Sequence, residues 1–98
     1  MIRGTTPSFE FTLPFEVETL AKCYVSFSQF GRVVLEKTLD EVTTSGKKIM
    51  FKLTQEETLR FAPDFIQIQI RCVTMDSEAL ASNIMNTHAS LILKDGVI

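Results

Sequence analysis

Ile66, Gln67, Ile68, Gln69 and Ile70 alternate apolar and polar side chains without a break. Successive side chains on a strand point to opposite faces of a sheet, so this stretch offers isoleucines to one face and glutamines to the other. A helix would scatter the same isoleucines around its circumference and bury none of them well. The two-residue period recurs at Phe9, Phe11 and Leu13, at Cys23, Val25 and Phe27, and at Ile49, Phe51 and Leu53. Four half-apolar strands are satisfied together only when layered face to face, which predicts a small all-β domain.

The chain of 98 residues is the length of one domain, expected to span residues 1–98 with flexible arms at 1–7 and 94–98. It contains eight phenylalanines, one tyrosine and no tryptophan. Phenylalanine has no polar tip, so most of these rings are expected in the core. A formal net charge of −2, with dispersed basic residues, argues against nucleic acid as a partner. No apolar run approaches the roughly 20 residues of a membrane helix, and the opening residues lack the apolar block of a signal peptide. Cys23 and Cys72 fall on different predicted strands, both facing the core. An immunoglobulin-type inter-sheet disulfide is one reading of such a pair. With no tryptophan between them and no export signal, two free thiols acting as small hydrophobes is the expectation.

Along the chain, strands are predicted at 8–13, stopped by Pro14, at 21–29 and at 32–37, the last two joined by a tight turn at Phe30-Gly31. Residues 40–48 read as a polar connection turning at Gly46, followed by a strand at 48–53. Thr54 and Glu57 have capping-box spacing and predict one helical turn over 54–61, with Leu59 and Phe61 covering the sandwich edge. It ends before Pro63. A long strand at 65–75, a turn at Asp76-Ser77-Glu78 and a last strand over 79–93 complete the chain. The parity shift between Met85 and Leu91 predicts a bulge in that last strand. The sum is an immunoglobulin-like antiparallel β-sandwich of six or seven strands with one short helical turn.

Residue chemistry offers no catalytic or metal site. His88 is the only histidine, predicted on the last strand with no ligand or carboxylate at useful spacing. Asp76 and Glu78 suit a hairpin turn better than calcium, which takes six or more oxygens. Glu56 and Glu57 are accounted for by the dipole of a first helical turn. The chain is expected to be non-enzymatic, without cofactor or small-molecule substrate. The polar faces of two strands stand apart from this: Tyr24, Ser26, Ser28 and Gln29 on one, and Gln67, Gln69 and Arg71 on the other. Nearly uncharged strand faces with few gatekeeping charges suit contact with other protein copies, and these seven residues form the candidate interaction surface.

Five segments carry a resemblance: Arg3-Gly4-Thr5-Thr6-Pro7, the run from Phe11 to Phe15, the run from Lys52 to Leu59, Ile68-Gln69-Ile70-Arg71, and Ala79-Leu80-Ala81-Ser82-Asn83. Together they resemble a family of short uncharacterised phage and prophage proteins of Firmicutes, particularly gut clostridia. The layout is also similar to the immunoglobulin-like N-terminal domain of phage baseplate upper proteins. The resemblance implies a tail or baseplate component working through protein–protein contact, with other phage structural proteins or with itself, in the bacterial cytoplasm during assembly and then in the virion. It carries no functional residues. The alternative is a carbohydrate-binding or adhesive sandwich, for which Tyr24 is the one aromatic ring expected on the polar strand faces.

Overall fold

A computed structural model describes residues 1–98 and contains two antiparallel sheets. The smaller is built from β1 (Ser8–Thr12), β4 (Thr43–Ser45) and β5 (Lys48–Lys52), in the order β1-β5-β4. The larger has β2 (Leu20–Gln29) and β6 (Phe65–Thr74) at its centre, with β3 (Arg32–Thr38) on the outer edge of β2. On the far edge of β6, β7 (Ala79–Ala81) covers Arg71 to Val73 and β8 (Met85–His88) covers Phe65 to Ile68. In immunoglobulin terms this is B-E-D against C′-C-F-G. The helical turn α1 (Gln55–Leu59) makes the crossover from β5 to β6.

The alternation seen in the sequence is realised residue by residue. Val25, Phe27, Ile66, Ile68 and Ile70 from the larger sheet are buried against Leu13, Ile49, Phe51 and Leu53 from the smaller side. Phe27 is fully buried and meets Phe9 and Phe51 edge-on, with ring centroids 5.4 and 6.0 Å apart. Phe9 and Phe51 lie nearly parallel at 5.5 Å. Such geometries favour aromatic pairs beyond their buried area, so this cluster clasps the two layers. Six of the eight phenylalanines are buried or half-buried; only Phe30 and Phe65 are exposed.

The capping box forms as expected. The Glu57 amide donates to Thr54 Oγ1 at 3.1 Å, and the Thr54 amide donates to Glu57 Oε1 at 2.9 Å. Thr58 is wholly buried, its hydroxyl donating to the Gln55 and Thr5 carbonyls. Phe61 drops into the core just after the turn. Residues 1–7, expected as an arm, run along this edge: Arg3 donates to the Phe61 and Leu59 carbonyls at 2.6 and 3.2 Å. The Leu59 carbonyl is one that the end of the helix leaves without an intrahelical partner, and Phe61 follows just after the cap at Arg60. Ile2 bridges in parallel to Ser90, and the N-terminal ammonium donates to the His88 carbonyl. Near the other terminus, Ile98 exchanges hydrogen bonds with the Gln55 side chain.

The strands number eight where six or seven were expected. The polar stretch at 40–48 contains β4, an exposed three-residue edge strand whose lack of apolar alternation hid it. The single last strand is two, because Ser82 interrupts it. Its hydroxyl accepts from the Ile70 amide at 3.0 Å, while its own amide donates to the Ile70 carbonyl. After His88 the chain adds no further strand.

Cys23 and Cys72 are free, buried and in register on neighbouring strands of one sheet, not across the two layers. The facing of β6 makes a paired test. Ile68→Asp, which puts an unpaired charge into the core, is expected to cost on the order of 4 kcal/mol or more and to unfold the domain. Gln69→Asp on the opposite face is expected to cost about 1 kcal/mol or less by urea denaturation. Equal effects from both would contradict the assigned facing.

Candidate contact face

Register turns six of the seven candidate surface residues into three directly opposed pairs: Tyr24 with Arg71, Ser26 with Gln69, and Ser28 with Gln67. Directly opposed side chains on adjacent strands lie about 5 Å apart, so the three pairs form one continuous patch on the outer face of the larger sheet. β3 extends it, placing Thr38, Glu36 and Val33 beside Tyr24, Ser26 and Ser28. The Ser26 hydroxyl donates to Glu36 Oε2 at 3.3 Å, and Gln69 Nε2 donates to the Ser82 carbonyl at 3.1 Å. Tyr24, Ser26, Glu36 and Arg71 line a shallow, open depression of about 360 Å³.

Gln29, the seventh candidate, does not belong to this face. It shares the parity of Cys23, Val25 and Phe27 and is buried. Its Nε2 donates to the Ala62 carbonyl at 2.8 Å, and its Oε1 accepts from the Ala62 amide at 2.8 Å. A side-chain amide has one donor end and one acceptor end, so it pairs with a peptide unit as a strand would. Gln29 therefore pins the segment between α1 and β6.

At one end the patch becomes apolar. Val33, Phe30 and Phe65 are 60%, 73% and 69% exposed, an unusual degree for such side chains at the tip of one sheet. Phe30 and Gly31 both adopt left-handed backbone, with φ of 52° and 75°. That is the type I′ hairpin turn, whose first central position ordinarily takes Asn, Asp or Gly. A bulky side chain there is locally unfavourable by about 1–2 kcal/mol. Phe65 is packed edge-to-face against His88, its exposed cross-strand partner.

Sequence reasoning missed one electrostatic feature behind this face. Lys37, on edge strand β3, points inward and pairs with Glu57 of α1 at 2.5 Å; both side chains are largely buried. Burial alone would push the Glu57 carboxyl up. The hydrogen bonds from the Lys37 ammonium and the Thr54 amide outweigh it and hold the carboxyl below its ordinary value. An inward charge on an edge strand also discourages another strand from adding there. Glu57 thus serves the helix cap and the edge at once. His88 is exposed on β8. Asp76 and Glu78 flank a turn in which Ser77 has φ 66°. No group of three or more His, Cys, Asp or Glu residues is arranged to hold a metal ion. No helix is long and apolar enough to cross a membrane. In comparisons with known proteins, no family model matches the chain, and no curated protein or solved structure matches it significantly.

A lowered carboxyl in the folded state stabilises the fold above the ordinary glutamate range, and that contribution is lost as pH falls through the folded value. Urea midpoints measured from neutral into acid pH should therefore fall less steeply for Glu57→Gln, which keeps a capping side chain but not the charge, than for the unaltered chain. Superimposable slopes would contradict the pairing. Gln29→Leu leaves the half-buried Ala62 amide and carbonyl without their side-chain partner and is expected to cost about 1–3 kcal/mol; a change near zero in the same assay would contradict the clamp.

Proposed function

We propose that this protein is a non-enzymatic structural or assembly component of a phage or prophage particle, in its tail or baseplate, acting by protein–protein contact through the outer face of the larger sheet. The phage assignment rests on the five resembling segments and on the similarity of layout to the baseplate upper protein domain. The contact role is carried by Phe30. This ring is 73% exposed on a left-handed residue at a hairpin tip. A side chain held against local preference and against solvent is accounted for when a partner covers it. Val33 and Phe65 supply adjoining apolar area. The Tyr24–Arg71, Ser26–Gln69 and Ser28–Gln67 pairs supply polar groups, all but Arg71 uncharged, able to hydrogen-bond a partner around that anchor.

Phe30→Asn separates the two roles of the tip. Asn accepts the left-handed turn more readily, so the variant is expected to be more stable by about 1 kcal/mol. With the aromatic anchor gone, association should weaken by about tenfold or more. The readouts are thermal denaturation for the first and, for the second, sedimentation velocity of the chain alone and co-expressed with the products of adjacent genes. A chain that stays monomeric and captures none of those products contradicts the proposal, as does association that Phe30→Asn leaves unchanged.

One observation favours a carbohydrate-binding role instead. The Tyr24 ring is partly exposed in the depression that Glu36 and Arg71 flank, and an aromatic face beside charged hydrogen-bonding groups suits a sugar. Glycan-array binding lost in Tyr24→Ala and kept in Phe30→Asn would select that reading.

A further inference from the structure

Cys23 and Cys72 face each other directly across β2 and β6 with their sulfurs 3.4 Å apart. The ladder fixes which kind of pair they form. Ile70 directs both its N–H and its C=O to Ser82, and Thr74 directs its N–H to Glu78. By strand alternation Cys72 directs its own backbone groups the same way, toward β7 and away from Cys23. The two cysteines therefore occupy a non-hydrogen-bonded site, where opposed Cα atoms approach to about 4.5 Å. That spacing lies at the near end of the range of about 4.4–6.8 Å that a disulfide spans, so the bond needs side-chain movement but no shift of the strands.

The two cysteines, both buried, differ in what lies beside them. Cys72 lines an apolar groove of about 190 Å³ where the sandwich opens between Leu13, Pro14 and Phe15 on one side and Ile70 and Leu80 on the other. Cys23 is not among the residues that line it. An uncharged oxidant of a few atoms suits such a groove; a large charged disulfide such as oxidised glutathione does not.

We infer that Cys23 and Cys72 form a peroxide-sensitive dithiol, entered at Cys72 through this groove and closing to a disulfide within the folded sheet. Cys72 gives its proton to water, and its sulfur attacks one oxygen of hydrogen peroxide. The O–O bond breaks, the departing hydroxide takes up a proton as water, and Cys72 is left as a sulfenic acid. The Cys23 sulfur then attacks the Cys72 sulfur. The S–O bond breaks, the S–S bond forms, and the leaving hydroxide departs as a second water with the Cys23 proton. Two thiols lose two electrons and one peroxide becomes two waters. The product ties together the two central strands that carry the candidate contact face. The Cys72 thiol, and then burial, hold Cys23 above its ordinary thiol value, which suits Cys23 as the second thiol to react and not the first.

The full-length chain in non-denaturing buffer is treated with hydrogen peroxide and followed by intact mass and peptide mapping, which separates thiol chemistry from oxidation of the exposed Met75. The expected product has lost two hydrogens, links the Cys23 and Cys72 peptides, and is restored by dithiothreitol. Cys23→Ala should leave a Cys72 sulfenic acid that dimedone traps, whereas Cys72→Ala should be trapped at Cys23 at least about tenfold more slowly. Thiols that survive until urea unfolds the chain would overturn the inference. So would disulfides formed only between molecules, or equal trapping in the two variants.

Discussion

Eight register pairs, from Leu20–Thr74 to Ser28–Gln67, hold β2 against β6, and the remaining architecture hangs on that ladder. Its inner side supplies Cys23, Val25, Phe27, Ile68, Ile70 and Cys72 to one buried layer. Its outer side supplies the polar patch. Because side chains alternate strictly, neither set can shift without the other: a slip of one residue would carry the isoleucines into water and the glutamines into the core. β3, β7 and β8 extend the ladder sideways, and the phenylalanine cluster fastens the smaller sheet across it.

Much of this was legible from alternation, because burial on one face writes a two-residue period into the chain wherever a strand is half covered. Residues 66–70 needed no structure to be assigned. β4 is exposed at all three positions and therefore writes no such period. The parity shift between Met85 and Leu91 marks the end of β8 at His88, since such a shift cannot tell a bulge from a strand that stops. The break at Ser82 lies outside that span and left no such sign. Nor does the N-terminal segment show any pattern for its role. It is held by backbone bridging and by Arg3 reaching the carbonyls at the end of α1, contacts that depend on distant residues coming together.

The outer face was partly legible for the same reason. Tyr24, Ser26, Ser28, Gln67, Gln69 and Arg71 follow from parity, and register then pairs them. Gln29 was misassigned on chemical character, although its odd position in β2 already pointed inward; a buried amide is satisfied here by one peptide unit. The ion pair of Lys37 with Glu57 joins residues on different elements, and no local pattern announces it. The capping box did announce Glu57, but only half of its role. Phe30 was read as a turn residue without its cost, which emerges from the positive φ and exposure together.

Edges and centre differ in what protects them. β3 is guarded by an inward lysine, β7 and β8 are short, and β4 is polar. The centre relies on burial and on pairing that holds one register from Lys22–Val73 to Ser28–Gln67, with a single shift between Leu20 and Lys22. Native-state hydrogen exchange, residue by residue and under increasing urea, tests that division most directly. The amides of β2 and β6 that pair with each other should be the slowest in the molecule and should exchange only through global unfolding. Slowest exchange in β1 and β5, or local opening of β2 from β6 well below the unfolding free energy, would contradict a fold built on this ladder.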